Sequence, residues 1–256
     1  MENKKAVLIT GCDSGVGLQI AKNFLESGCN VIITAKDYAL VQTTASQLKN
    51  QYSAQCIGVK FEPLNAKTDC QQLFNCIAQK GFVINKLVCA HQSLGLCQNA
   101  LDATIGEWEN VLFENITSSY LVVRGMAKRL SVLPKQDASI VFISSSLYNS
   151  AVRGRSDFIA SNGGVQSMTR ALALDLAKYG IRVNCVTVGA LKNDGWKQFD
   201  DSQLNNIQAT IPLGDGVSEV QVANAVDFLL SSKSSGITGA SLVVDGGLDC
   251  VIPGAF

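Results

Sequence analysis

The sequence predicts a single α/β domain with a doubly wound parallel sheet and helices on both faces. Three observations predict it: short apolar runs alternate with helical patterns, the apolar runs lack polar alternation, and 256 residues suit one such domain. Strands that alternate with helices are typical of parallel sheets. The predicted strands cover residues 6–10, 31–35, 56–61, 86–90, 139–144, 182–188 and 241–245.

The segments between the strands have the periodicity of helices with one buried face. In the first of them, Val16, Ile20 and Phe24 fall along one side. A long pattern begins at Glu107 and ends before Pro134, which cannot continue a helix. The predicted helices cover residues 16–27, 38–48, 69–79, 107–130, 156–179 and 219–230.

Composition excludes several classes of function. Lys+Arg and Asp+Glu are 21 each and no basic run occurs, so nucleic acid and anionic membranes are poor partners. The longest apolar runs are strand-sized, so we expect no transmembrane helix. The nine cysteines include no Cys-x-x-Cys pair, which favours reduced thiols and a cytoplasmic protein. Because His91 is the only histidine, a multi-histidine metal site is excluded, and we predict no metal.

A glycine-rich turn, Thr10-Gly-Cys-Asp-Ser-Gly-Val-Gly17, connects the first predicted strand to the first helix. Glycines allow a tight turn and close backbone approach to a pyrophosphate, whose charge is stabilised at a helix N-terminus. The alternative is that these glycines serve only the turn and its packing. The candidate cofactor-binding residues of this turn are Thr10, Gly11, Ser14, Gly15, Val16 and Gly17.

A second segment, 141–166, combines an apolar strand, a serine run, a loop and a helix with small residues. Together with the glycine turn, Arg182-Val-Asn184 and the last strand at 238–247, it resembles the short-chain dehydrogenase/reductase family over nearly the whole chain. The resemblance implies a Rossmann-type domain. It also implies a nucleotide-binding half at about residues 1–95 and an active-site and interface half at about 96–256.

The catalytic pattern of that family is incomplete here. The family has a serine, a tyrosine thirteen residues later and a lysine four further on; this chain has Ser145, Phe158 and Asn162. Losing general acid-base help costs about 10²- to 10⁴-fold in rate. Asn115 matches the helix asparagine that holds a relay water in the family, or it stabilises a helix kink. Tyr148 is the best candidate for a relocated proton donor.

The residues after the second strand bear on the choice of cofactor. Lys36 stands where a basic residue accommodates the 2'-phosphate of NADP, so NADP(H) is predicted over NAD(H) if a cofactor binds. The alternative is a solvated lysine beside Asp37 as a helix N-cap. The resemblance also assigns Glu62 to the adenine contact, and Ala90 and Gly189 to the cofactor.

The end of the fourth strand departs most from the family. It reads Cys89-Ala-His-Gln92 where the family has Asn-Asn-Ala-Gly, so Gln92 adds a side chain close to the cofactor path. His91 is either a substitute acid or a hydrogen-bonded structural residue. The enoyl-thioester reductases of the superfamily place a tyrosine at the position that Arg155 occupies here.

The departures cluster at the redox end, while the glycine turn and the last strand are intact. We therefore expect a catalytically inactive homologue that acts as a binding or structural subunit. It would form a dimer or tetramer, or pair with an active paralogue. Two alternatives stay open: an NADP(H)-dependent carbonyl reductase of the 3-oxoacyl type with a relocated donor such as Tyr148, and a ligand or redox-state sensor in which Arg153 and Arg155 attract an anion.

Overall fold

The predicted parallel sheet is present in the computed structural model, which describes residues 4–13, 15–135, 137–193, 196–197 and 199–251. Seven parallel strands lie in the order β3-β2-β1-β4-β5-β6-β7. They are Lys4–Thr10 (β1), Val31–Ala35 (β2), Cys56–Lys60 (β3), Phe82–Cys89 (β4), Ala138–Ser145 (β5), Ile181–Val188 (β6) and Ser241–Val244 (β7).

Helices cover both faces of the sheet, and the apolar side chains form one core on each face. On one face, the core includes Ile20, Val41 and Val226 from the first, second and last helices. On the other face, it includes Phe74 and Val122 from the third and fifth helices. The helices are Gly15–Glu26 (α1), Tyr38–Gln51 (α2), Ala66–Gln79 (α3), Ile105–Leu112 (α4), Ser119–Leu130 (α5), Ser156–Leu176 (α6), Asp201–Ala209 (α7) and Glu219–Leu230 (α8).

The long helix predicted at 107–130 is divided in the structure. It begins earlier, at Ile105, because Thr104 caps it in a reciprocal capping box with Glu107. Between α4 and α5 the chain forms a π-helical turn at Phe113–Ser118. Such turns widen a helix locally and are frequent at functional sites. This turn brings Glu114 and Asn115 inward, where both are buried.

Two elements differ from the sequence prediction for reasons of local polarity. β4 begins at Phe82, four residues early, since half-buried Asn85 and Lys86 interrupt its apolar pattern. α7 is absent from the prediction because its face is mostly polar, yet Asp200 and Gln203 form a capping box at its start. No helix in the described ranges is long and apolar enough to cross a bilayer.

The strand order brings a set of polar residues together. From β1 the chain builds β2 and β3 to one side, then crosses to β4 on the other, so the sheet has a topological switch beside β1. Parallel α/β sheets bind ligands at the carboxyl ends of the strands at such a switch. Thr10, Cys89 and Ser145 end β1, β4 and β5 at this edge.

Candidate functional site

A cleft of about 380 Å³ opens at this carboxyl edge. Gly11 and Lys36 line one end of it, and Ser145, Phe158 and Gly189 line the other. A smaller cavity of about 220 Å³ lies at the opposite edge of the sheet, among apolar residues of α3, β4 and α5. That smaller cavity is a packing feature of the core, whereas the cleft collects the polar groups.

The glycine turn has the geometry that a pyrophosphate site needs. Gly11 and Gly15 have φ of 71° and 63°, a region that side chains rarely adopt. A Cβ on Gly17 would lie 2.1 Å from the carbonyl oxygen of Gly11, and one on Gly11 would lie 2.5 Å from the backbone of His91. α1 starts at Gly15, so its free N–H groups face this end of the cleft. The turn therefore fits a dinucleotide.

The remaining residues predicted for the cofactor lie around this turn. Val16, Ala90 and Gly189 line the cleft. The Thr10 hydroxyl accepts a hydrogen bond from the backbone N–H of Ala90 at 3.2 Å, which ties β1 to the end of β4. The predicted contact at Ser14 falls outside the described residues.

Lys36 is held by carboxylates at the end of β2. Its Nζ donates to both carboxylate oxygens of Glu114, at 3.1 and 3.2 Å, and lies 3.8 Å from Glu62. The alternative of a solvated lysine is therefore only half right: Asp37 does cap α2 by accepting from Leu40 N, but the Lys36 ammonium is paired. Nothing in the sequence marked Glu114, because a carboxylate in a helical segment is ordinarily solvated.

Both ring nitrogens of His91 are hydrogen-bonded to neighbouring side chains. Its Nδ1 lies 2.6 Å from the Thr10 hydroxyl, and its Nε2 lies 2.5 Å from the Ser118 hydroxyl. Burial lowers the pKa of His91 to about 4, so the ring is neutral at physiological pH. The hydrogen-bonded structural interpretation therefore fits the geometry, and the substitute-acid interpretation does not.

Asn162 joins the end of β5 to α6. Its Oδ1 accepts from the backbone N–H of Ser145 at 2.8 Å, from the Ser144 hydroxyl at 3.0 Å and from Gln92 Nε2 at 2.9 Å. Its Nδ2 donates to the Phe158 carbonyl at 2.8 Å, and the side chain is 1% exposed. Asn162, which stands in place of the family lysine, therefore uses both its amide oxygen and its amide nitrogen in hydrogen bonds. Gln92 is one of the donors to its oxygen.

Phe158 places an apolar ring in the wall of the cleft, where it is almost fully buried. Its backbone N–H donates to Asp157 Oδ1 at 2.7 Å, which fixes the first turn of α6. The ring has no proton to transfer. The structure therefore agrees with the sequence that position 158 supplies no acid.

Asn115 braces the loop after β4 from the π-helical turn. Its Oδ1 accepts from Ser93 N at 2.7 Å, and its Nδ2 donates to the Ser93 carbonyl and the Ser161 hydroxyl, each at 2.9 Å. Arg155 holds the same loop by donating to the Leu94 carbonyl at 2.9 Å. These contacts favour a structural role for Asn115 and occupy Arg155, one of the two arginines predicted to attract an anion.

Ser145 and Tyr148 differ in their access to the cleft. The Ser145 hydroxyl accepts from Leu147 N at 3.3 Å and donates to no other described residue, so its proton can bond a carbonyl oxygen in the cleft. Tyr148 lies on the 3-10 turn Ser146–Asn149, half-buried. Its hydroxyl makes no hydrogen bond to a described residue, and Tyr148 is not among the residues that line the cleft.

Similarity to known proteins extends over nearly the whole chain. The family model described as enoyl-(acyl carrier protein) reductase matches residues 11–249. The 3-oxoacyl-(acyl-carrier-protein) reductase FabG of Buchnera aphidicola is 31% identical over 248 residues, 96% of this chain and 97% of that protein. The chain belongs to the short-chain dehydrogenase/reductase family.

Other members of the short-chain dehydrogenase/reductase family agree in fold and length. The FabG reductase of Rickettsia bellii is 29% identical over 246 residues, covering 95% of this chain and 96% of that protein. An actinorhodin polyketide ketoreductase solved with NADPH has a TM-score of 0.88 at 25% identity, covering 98% and 99% of the two chains. A gluconate 5-dehydrogenase from Burkholderia cenocepacia, with a TM-score of 0.87, 19% identity and coverage of 98% and 97%, has the same fold.

The expectation of a catalytically inactive subunit is wrong in the light of these relatives. The two FabG proteins and the ketoreductase are named as reductases, and the ketoreductase was solved with NADPH, so they support an oxidoreductase that uses NADP(H). The error has a physical origin. Phe158 and Asn162 exclude two groups as proton donor and ribose clamp, but they leave open where a proton enters the cleft.

Proposed function

We propose that this chain is an NADP(H)-dependent oxidoreductase that reduces a carbonyl group of the 3-oxoacyl type, with its proton donor outside position 158. The named relatives support the reaction class. The observation that carries the proposal is that an intact glycine turn and the free hydroxyl of Ser145 face the same cleft. A candidate cofactor site and a candidate carbonyl-binding group would thus share one cleft.

The chain's own residues would divide the work along the cleft. NADPH, when bound, supplies the hydride. The turn from Gly11 to Gly17 and the start of α1 would hold the pyrophosphate, and Lys36 would face the ribose 2'-substituent. Ser145 donates its hydroxyl proton in a hydrogen bond to the substrate carbonyl oxygen and stabilises the negative charge that develops there. Asn162 fixes the Ser145 backbone in place.

The proton must reach the carbonyl oxygen from another source than residue 158. Tyr148 is the side chain that we assign, since it follows Ser145 by three residues and its hydroxyl is uncommitted among the described residues. It does not line the cleft in this structure, so its turn would have to carry the hydroxyl toward Ser145 when substrate binds. A donor on a short surface turn is positioned less well than one on a buried helix face. We therefore expect turnover that is slow by comparison with reductases that keep the tyrosine, by about 10²-fold.

NADPH consumption with a short-chain 3-oxoacyl thioester tests the proposal directly. We expect turnover that falls about 10²-fold in Ser145→Ala, because the developing charge loses its hydrogen-bond donor. We expect Tyr148→Phe to lower kcat with little change in KM. Tyr52→Phe, which alters another half-buried tyrosine at the end of α2, is the matched control and should leave turnover unchanged.

The outcomes separate the parts of the proposal. Turnover by the wild type no greater than that of identically purified Ser145→Ala would contradict carbonyl reduction. Unchanged kcat in Tyr148→Phe would remove Tyr148 as donor while leaving the reductase itself in place. The product alcohol, quantified against NADPH consumed, should appear in a one-to-one ratio.

We also propose that the chain self-associates through α5, α6 and β7. Each of these elements exposes a large apolar side chain to solvent: Leu174 on α6 is 81% exposed, and Tyr120 on α5 and Val243 on β7 are also exposed. Large apolar side chains that are exposed on one side of a protein favour an interface when they form a patch, and we propose that these do. Light scattering should give a dimer or tetramer, and Leu174→Glu should shift it toward the monomer. A wild type that is monomeric at high concentration would contradict this.

A further inference from the structure

The ammonium of Lys36 is bound across the cofactor end of the cleft. Both oxygens of Glu114 accept from its Nζ, at 3.1 and 3.2 Å, so the pair joins the end of β2 to the π-helical turn. Lys36 is 47% exposed at its side chain, whereas that of Glu114 is only 10% exposed. Both residues line the cleft with Gly11. The buried partner therefore holds the more exposed one in place.

The charge around this pair is strongly negative. Glu62 lies 3.8 Å from the Lys36 ammonium, and Asp13 accepts from the Lys36 backbone N–H at 3.3 Å. Asp37 follows as the cap of α2. Two carboxylates thus lie within 4 Å of the ammonium, and two more belong to residues at or next to the Lys36 backbone. A 2'-phosphate, which carries close to two negative charges, would enter a field that opposes it.

Binding of such a phosphate would require Lys36 to turn away from Glu114. The carboxylate would then be left in a largely buried position without its cation, and breaking one side of a buried ion pair is costly. A ribose 2'-hydroxyl carries no charge and makes no such demand. It could donate a hydrogen bond to a carboxylate, which is how NAD is recognised at this position in related folds.

We propose that Glu114 is a specificity-determining residue: it competes with the 2'-phosphate for Lys36 and so narrows the preference for NADP(H) over NAD(H). This inference rests on the proposed function, since a nicotinamide dinucleotide must occupy the cleft. It assigns to the residue before Asn115 a role that the sequence pattern did not indicate.

Calorimetric titration with adenosine 2',5'-bisphosphate and 5'-AMP isolates the 2'-position from the nicotinamide chemistry. In Glu114→Gln, an isosteric change, the dissociation constant for the bisphosphate should fall about tenfold, while that for 5'-AMP stays within about twofold. NADP+ and NAD+ should follow the same pattern. Glu109 is an exposed residue of α4, and Glu109→Gln removes the same charge at a distance. It should leave the dissociation constants for both nucleotides unchanged.

A double-mutant cycle locates the effect at Lys36. In a Lys36→Met background, Glu114→Gln should give a gain of about twofold or less for the bisphosphate, because the competition no longer exists and only the relief of repulsion remains. If Glu114→Gln fails to fold, Glu114→Asp serves instead: it keeps the charge but retracts it from the ammonium. It should give a smaller gain in the same direction.

The results distinguish this inference from the proposed function. A ratio of the two affinities that is unchanged in Glu114→Gln and Glu114→Asp would overturn the role of Glu114 alone. No binding of NADP+, NAD+ or either adenosine nucleotide to the wild type would overturn the proposed function and this inference with it. A gain for both nucleotides alike would also overturn the inference, since it would indicate general charge relief.

Discussion

The glycine turn and the segment from Ser145 to Asn162 line opposite ends of one cleft, and they tolerate change very differently. At the turn, every fixed glycine of the family pattern is present, and added Cβ atoms on Gly11 and Gly17 would meet backbone atoms at 2.5 Å or less. At the other end, an aromatic ring and an amide stand where the family has a phenol and an ammonium. The fold has absorbed these exchanges without a break in β5 or α6.

The difference follows from what each end is made of. The turn is built from backbone in conformations that only glycine adopts easily, so a side chain there displaces the chain itself. The far end is built from side chains that can be exchanged as a group. Gln92 and Asn162 bond to each other at 2.9 Å, so the amide is paired where the family has a lysine. A coordinated set of replacements is harder to reverse than any single one.

The largest effect should come from forcing a side chain into the turn. Gly11→Ala combines a left-handed backbone with a Cβ 2.5 Å from the backbone of His91. We expect a loss of about 4 kcal/mol in the free energy of unfolding and loss of dinucleotide binding. Urea unfolding and calorimetric titration measure the two. Gly106→Ala, in exposed helix with open space at its Cβ, should be neutral or stabilising; equal losses in both variants would contradict the comparison.

A smaller effect should come from restoring a cation at the other end. Asn162→Lys removes the acceptor for Ser145 N and the Ser144 hydroxyl, and it places an ammonium against Gln92. We expect the free energy of unfolding to fall by about 3 kcal/mol. Adding Gln92→Gly should recover about 1 kcal/mol by making room.

The control for this variant is Asn110→Lys on exposed helix α4, which should have little effect. Phe158→Tyr restores the phenol. We expect turnover to rise only when Asn162→Lys and Gln92→Gly are present as well. If Asn162→Lys alone were as stable as the wild type, the amide would not be the brace that its hydrogen bonds indicate.

The smallest effect concerns His91, which joins the turn to the π-helical segment. The folded pKa is lowered to about 4, and the unfolded value is about 6.5, so below pH 6.5 the unfolded state binds the proton and the folded state does not. Stability from this residue is complete above the unfolded pKa and is lost as pH falls toward 4. Between pH 7 and pH 5 the loss should be about 2 kcal/mol.

Urea unfolding across this range, compared between the wild type and His91→Ala, isolates the histidine. The alanine variant is less stable at neutral pH, because Thr10 and Ser118 lose their partner, but its dependence on pH should be flatter. Parallel curves for the two proteins would mean that the pKa of His91 is the same in the folded and unfolded states.

The sequence and the structure agree most closely where the pattern is local. The alternating strands, the helix α1 after the glycine turn and Asp37 as the cap of α2 could all be predicted, since each depends on neighbours in the chain. The prediction of inactivity went wrong because it inferred the loss of a whole reaction from Phe158, Asn162 and the departures at residues 89–92. The residues at positions 158 and 162 show that these two side chains cannot transfer a proton. They do not exclude a proton donor at another position.

By itself the sequence determined the doubly wound fold, the glycine turn and the absence of an acid at position 158, because these depend on periodicity, backbone freedom and side-chain chemistry. Only the tertiary structure decided that Glu114 holds Lys36, that Gln92 is the partner of Asn162 and that His91 is neutral. The first two pairs join residues 78 and 70 positions apart, and His91 bonds to Thr10, 81 positions away; the sheet and the π-helical turn bring these segments together. Burial there sets which charges and hydrogen bonds exist, and burial depends on the whole fold.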